Sequence, residues 1–153
     1  MNVSFDVSVT DNTKSVNEAL DEQIEQALIA IGMTAESYAK MPVDKGGNMP
    51  VDTGRLKNSI TYAIAGKPPS ITSYGPDKTV KDDKESKPYS GNAPQDPGGK
   101  PRSVYIGSNV EYAAAVENGI SGKQTGKHFL RSAVSDHTAE YKNLVEMALK
   151  GKG

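Results

Sequence analysis

The turn Val51-Asp52-Thr53-Gly54 places a carboxylate at a glycine-framed bend, where a second carboxylate nearby could share its proton for general acid–base work. His128 and His137, the only histidines, stand nine residues apart. On one helix that spacing turns them about 180° from each other, so they do not converge on a metal ion and both are expected on a helix surface. Asp82, Asp83 and Glu85 would suit calcium, but Lys81, Lys84 and Lys87 interleave with them, and a solvated charged segment is the simpler reading. Gly119, Gly122 and Gly126 with Lys123 and Lys127 could cradle a phosphate. The Gly-Lys-Ser/Thr ending that such a loop needs is missing, so 120–127 reads as a flexible loop. No Ser, His and acid set has a recognisable context, and the absence of cysteine removes thiol nucleophiles, thiolate zinc sites and disulfides together. No catalytic, cofactor-binding or metal-binding residue is therefore assigned.

The bulk properties narrow the classes further. A length of 153 residues fits one domain. Hydrophobic content of 35% with two Phe and no Trp is lean, so part of the chain is expected not to pack. A formal charge of -1 supplies no basic field for a phosphate backbone, which argues against sequence-reading nucleic-acid binding. No apolar run approaches the roughly 18–20 residues of a membrane span, and no basic segment followed by an apolar stretch opens the chain. No membrane partner is expected, and the cysteine-free composition fits a reducing cytoplasm.

The elements that would position these residues can be read from periodicity. Residues 2–9 alternate, with Val3, Phe5, Val7 and Val9 on one side, as in a half-buried strand. From 13 to 40, Val16, Leu20, Ile24, Ala27, Leu28, Ile31, Ala35 and Tyr38 recur at three- and four-residue steps and predict a long amphipathic helix ended by Pro42. Gly32 interrupts it, suggesting a bend or a close contact. Met-Pro-Val-Asp occurs at 41–44 and again at 49–52, like a short duplication in a flexible joint. Asp52 or Thr53 could cap a short helical turn, with Leu56 and Ile60 on one face, before a strand over 59–65. A second strand is expected over 103–107, then a helix over 110–118 capped by Ser108 or Asn109 and stopped by Gly119. A final helical region over 128–150 would bury Phe129, Leu130, Ala133, Val134, Tyr141, Leu144, Val145 and Ala148.

Residues 66–101 break this pattern, holding seven of the nine prolines. That segment buries too little apolar surface to offset its ordering entropy and reads as an inserted arm. Tyr74 and Tyr89 could anchor it on a partner, with Lys81 and Lys84 between them. The expected fold is α+β: a single domain over 1–153, with a small, mostly antiparallel sheet packed by the long N-terminal helix and a C-terminal helix, interrupted by the arm.

Two resemblances follow from these motifs. Asp52-Thr53-Gly54 is similar to the dyad turn of aspartic proteases, but that family has a small residue where this chain has Arg55 and an apolar strand where it has Met49-Pro50. A capped turn is the better account. A longer match runs through Pro50-Val51-Asp52-Thr53-Gly54-Arg55-Leu56-Lys57-Asn58-Ser59-Ile60, then Val104-Tyr105-Ile106-Gly107 leading into Glu111-Tyr112-Ala113 and Val116-Glu117-Asn118-Gly119, then His128-Phe129-Leu130-Arg131-Ser132-Ala133. In that order, after a long helix, these resemble the minor structural proteins that join head to tail in long-tailed bacteriophages. The chain departs from the family pattern where Tyr-Val-Glu-Phe-Gly-Thr is usual and it has Ala115-Val116-Glu117-Asn118-Gly119-Ile120, losing an aromatic, and in the length of its arm.

The resemblance implies a virion protein assembled in the host cytoplasm. It would form a six- or twelvefold ring at the head-tail neck, contact other neck, connector or tail proteins, and let DNA pass through its lumen unread, without a cofactor. A tail terminator that caps the tube and fixes tail length is the alternative. A dimeric aspartic protease using Asp52, and an antitoxin or adaptor using its Pro-rich arm, are readings from other classes. In the phage reading, Arg55 and Glu117 are exposed charges that could pair within or between subunits, while Leu56 and Ile60 bury and Gly54 permits the turn.

Overall fold

A computed structural model describes residues 13–50, 54–68, 73–74, 91–92 and 100–151. The expected strand at 2–9, Val51, Asp52 and Thr53, and most of the arm including Lys81, Lys84 and Tyr89, lie outside the described residues.

Helix α1 (Thr13–Ala39) is the spine. Its 27 residues give a length of about 40 Å at roughly 1.5 Å per residue. The residues it buries are small: Ala27, Gly32, Ala35 and Ala39. The buried seam is thus rotated toward Gly32 and Ala39 relative to the stripe expected from periodicity, and Val16 and Leu20 stay 60% and 37% exposed. Gly32 is the site of close approach: a Cβ there would meet the Tyr62 ring at 2.3 Å. Small residues let neighbouring backbones come near, which a Leu-rich seam would prevent.

After α1 the chain makes a single 3-10 turn (Val43–Lys45) and returns, with Met49 N–H donating to the Met41 carbonyl at 3.1 Å. Residues 41–49 therefore form a closed loop that seats Met49 in the core at 0% exposure, where a flexible joint was expected. Short helix α2 (Arg55–Ser59) leads into β1 (Thr61–Ile64). Strand β1 pairs antiparallel with β4 (Val104–Gly107), Thr61 opposite Gly107 and Ile64 opposite Val104. Between them, β2 (Ser73–Tyr74) and β3 (Gly91–Asn92) form the paired stem of the arm, with Tyr74 opposite Gly91.

Helix α3 (Ala113–Asn118) starts three residues later than expected. Val110 N–H donates to Ser108 Oγ at 3.2 Å and Ala113 N–H to the Val110 carbonyl, so a turn precedes the helix. Residues 120–127, expected as a flexible loop, are organised by the hairpin β5 (Gly119–Ile120) and β6 (Gln124–Thr125). The last helical region is two helices, α4 (Phe129–Ser135) and α5 (Thr138–Lys150). Only Phe129 and Ala133 of its expected stripe are buried, and Val134 is 48% exposed. The break frees α5 to lie along α1 instead of continuing away from it.

These pieces make the expected α+β fold. The small sheet is resolved into three antiparallel pairs among the described residues. Helix α1 packs against the β1–β4 pair and against both α4 and α5. One core cluster joins Ala39, Met49, Leu56, Ile60, Val110, Ala113, Phe129 and Ala133. Truncating Phe129, the largest side chain buried there, would cost about 3–5 kcal/mol.

Candidate interaction site

The motif residues converge at the C-terminal end of α1, around α2 and α3. Gly54 is the N-cap of α2, at φ 78° and with no side-chain cap bond. A positive φ explains the glycine; the expected capping by Asp52 or Thr53 lies outside the described residues. Leu56 and Ile60 enter the core, at 5% and 0% exposure. Ser59, fully buried, donates to the Leu56 carbonyl at 2.7 Å and lies 2.6 Å from Ser108 Oγ, tying α2 to the end of β4.

Arg55 turns outward onto α3's entry. Its guanidinium donates to both carboxylate oxygens of Glu111, at 2.7 and 2.9 Å, and sits 5.8 Å from the Tyr112 ring centre. This two-point fork fixes geometry as well as charge. The Glu111 carboxyl is held below the usual glutamate range by a hydrogen bond from its own backbone N–H, then by the Arg55 fork. Glu111 stands in the 111–113 part of the motif, but what sequence reasoning missed is its pairing with Arg55, which lies 56 positions away and which no local pattern marks.

Glu117, expected to be an exposed charge, is instead half-buried. Its carboxylate accepts the backbone N–H groups of Leu130 and Arg131, at 2.8 and 3.0 Å. It thus caps α4 from a separate helix, satisfying donors that the first turn leaves open. Gly119, two residues on and at φ 81°, opens the hairpin; a Cβ there would meet the Gln124 carbonyl at 2.5 Å, so the glycine is needed for the turn itself. Phe129 anchors α4 in the core, while Arg131 points to solvent.

The two histidines are not on one helix. His128 precedes α4 at φ 52°, and His137 occupies the α4–α5 break. The His137 ring stacks on Tyr38, 3.4 Å between centres and 6° from parallel, and Tyr38 donates to Glu140 at 2.7 Å. Tyr141 donates to the Ala133 carbonyl, and burial first, then the Glu140 charge, pushes its hydroxyl up to about 12. This cluster locks the bend that returns α5 along α1.

Beside the motif lies a groove of about 260 Å³. Pro50, Gly54, Leu56 and Lys57 form one wall; Tyr112, Val116 and Gln124 form the other. Small-molecule sites usually begin near about 300 Å³, so a groove of this size and mixed lining suits protein side chains better than a cofactor. No cluster of three or more His, Cys, Asp or Glu poised for a metal occurs among the described residues. No helix among them is long and apolar enough to cross a membrane.

Residues 8–119 match the family model described as "Bacteriophage HK97-gp10, putative tail-component". The chain belongs to this HK97 gp10-like family. The match spans α1, the 50–60 motif, the arm and α3, and ends at Gly119. The family makes this a tail-related phage protein of structural type, as the resemblance implied in its coarser form. Of the three motif segments, 50–60 and 104–119 lie inside the matched stretch; 128–133 lies beyond it. No curated protein and no solved structure gave a significant match.

Proposed function

We propose that this HK97 gp10-like chain is a ring-forming subunit at the head-tail interface of the virion, assembled in the host cytoplasm, where it joins or completes the tail by shape and self-assembly. The observation that carries the reading is the family match over 8–119, which takes in the whole arginine and glycine turn and its partner helix. The chemistry of that turn supports it: Arg55 is engaged with Glu111, Gly54 supplies backbone geometry, and Glu117 serves as a helix cap. These side chains are used to hold structure, leaving the groove and the arm as surfaces for other phage proteins. A six- or twelvefold ring would let DNA pass through its lumen without base contacts, in keeping with a net charge of -1.

The tail-component description of the family also favours a second reading, a terminator that caps the tube and fixes its length. Electron microscopy of particles in which this gene alone is interrupted separates the two. DNA-filled heads beside separate tails of normal length support joining; tails of abnormal length support termination; normal infectious particles overturn both. The protease alternative requires that Asp52→Asn abolish a pepstatin-sensitive cleavage, and we expect no such cleavage. The 66–101 arm is proposed to dock on an adjacent subunit or the next neck component. Unchanged assembly after deleting 67–100 would sink that part.

A further inference from the structure

We propose that the β5–β6 hairpin and the residues that follow it bind the phosphate backbone of duplex DNA, through Lys123, Lys127, His128 and Arg131; the choice of duplex rests on the ring reading above. An open basin of about 640 Å³ lies on the hairpin, with Asn118, Ser121, Gly122, Lys123, Thr125 and His128 in its lining. No described carboxylate lines it. Amide, hydroxyl, ammonium and imidazole groups can all donate hydrogen bonds, which suits an oxyanion. From 118 to 135 the chain holds Lys123, Lys127 and Arg131 and no Asp or Glu. Lys57 on the wall of the 260 Å³ groove continues the patch, because Gln124 lines both depressions.

These cations are uncommitted. Lys14, Lys40, Arg55, Lys67 and Arg102 each hold a carboxylate, whereas Lys57, Lys123, Lys127 and Arg131 form no ion pair among the described residues. The acids beside the patch are occupied: Glu117 by the Leu130 and Arg131 N–H groups, and Glu111 by the Arg55 fork. The surface here is therefore positive although the whole chain carries -1. The backbone is open to a ligand as well. Lys123 N–H donates to the Ile120 carbonyl at 2.9 Å, closing a turn in which Gly122 sits at φ 69° with empty space where a Cβ would stand. His128 adopts φ 52° without being a glycine, and its Nδ1 is sealed from solvent with no hydrogen-bond partner. Helix capping does not account for this, since His128 makes no side-chain cap bond and Glu117 already serves the first turn of α4. Backbone strain and an unmet polar atom on one residue point to function.

The form of the surface selects the ligand. Residues 120–125 are all exposed, so the basin does not enclose a small molecule, most of whose surface a ligand pocket would bury. Protein interfaces are depleted in lysine and centre on apolar anchors, whereas DNA interfaces are polar and positive. In this basin Ile120 is the one large apolar side chain among the described residues. Contacts to phosphate oxygens carry no sequence information, as a duplex passing through a ring requires.

Fluorescence anisotropy of the full chain with a labelled duplex of about 20 base pairs, titrated between about 20 and 200 mM salt, tests the site. The logarithm of affinity is expected to fall with log salt at a slope of about -3 to -4, equally for two duplexes of unrelated sequence. Lys123→Ala/Lys127→Ala is expected to weaken low-salt binding by about fivefold or more and to remove about 2 from the slope, with an unchanged thermal melt. His128→Asn, which tolerates the same backbone, is expected to weaken binding about twofold or more. No binding by the wild type, unchanged affinity in these variants, or an equal loss from Lys142→Ala/Lys150→Ala on α5 overturns the site and leaves the ring reading standing. Polyglutamate that competes as well as duplex at equal charge also overturns it, and assigns the patch to an acidic protein. Binding as expected by a chain whose interruption leaves particles normal overturns the ring reading alone.

Discussion

Glu117 reaches from α3 to the first turn of α4 and accepts the Leu130 N–H at 2.8 Å, with the neighbouring Arg131 N–H at 3.0 Å. A carboxylate thereby joins two helices that share no sequence register, and it does so next to the glycine that opens the β5–β6 hairpin. Glu117→Ala is expected to lower stability by about 1–2 kcal/mol through loss of the cap, with Glu117→Gln in between. Urea unfolding checks this. A shifted midpoint at unchanged slope is the expected result, and a loss under about 0.5 kcal/mol would show that solvent replaces the carboxylate.

Gly32 should not tolerate alanine. On an exposed helix the change would gain about 1 kcal/mol of propensity, but here the new methyl would lie 2.3 Å from the Tyr62 ring. The ring must shift and β1 with it, so a net loss of about 1–3 kcal/mol is expected. Thermal denaturation of Gly32→Ala, alone and with Tyr62→Ala, checks the cause: the penalty of the first change should shrink when the ring is absent.

The Glu111 carboxylate, held first by its own backbone N–H and then by the Arg55 fork, predicts an acid-sensitive step. The folded state holds the Glu111 carboxyl below its ordinary value of 4.5, so its stabilising contribution is fully present above that value and is lost as pH falls through the lower folded value. Glu111→Gln should therefore flatten the acid limb of a stability-versus-pH curve below about 4.5 while changing little near neutrality, since the pair is surface-exposed. An unaltered acid limb would mean that neither the backbone N–H nor the Arg55 fork holds the Glu111 carboxylate in solution.

Tyr141 gives the opposite sign. Its hydroxyl value is raised to about 12, so the neutral form is favoured by folding; that contribution is present below the ordinary value of 10.0 and lost as pH rises from there toward 12. Tyr141→Phe should cost about 1 kcal/mol near neutrality, from the lost bond to the Ala133 carbonyl, and should weaken the alkaline decline. A decline identical to wild type between pH 10 and 12 would assign the alkaline transition elsewhere.

Much of this molecule was legible in its sequence because much of it is set locally. The three- and four-residue spacing over 13–40 foretold α1 to within a residue, Gly54 and Gly119 marked turns that adopt positive φ, and the Leu56 and Ile60 spacing named two core residues correctly. The order of the 50–60 and 104–119 motifs pointed to a phage structural family whose model matches the chain. What the sequence left open depends on contacts between distant residues. The burial of Gly32 and Ala39 rather than Val16 and Leu20 follows from which elements reach α1, and only near the anchors at Asp21 and Glu25 does the sheet end begin. The break at His137 requires the Tyr38 ring to stack there, from 99 positions away. Arg55 finds Glu111, and Glu117 finds Leu130, through folding that no short-range period encodes. Periodicity states which face of an element is apolar; only packing states how much of that face is buried.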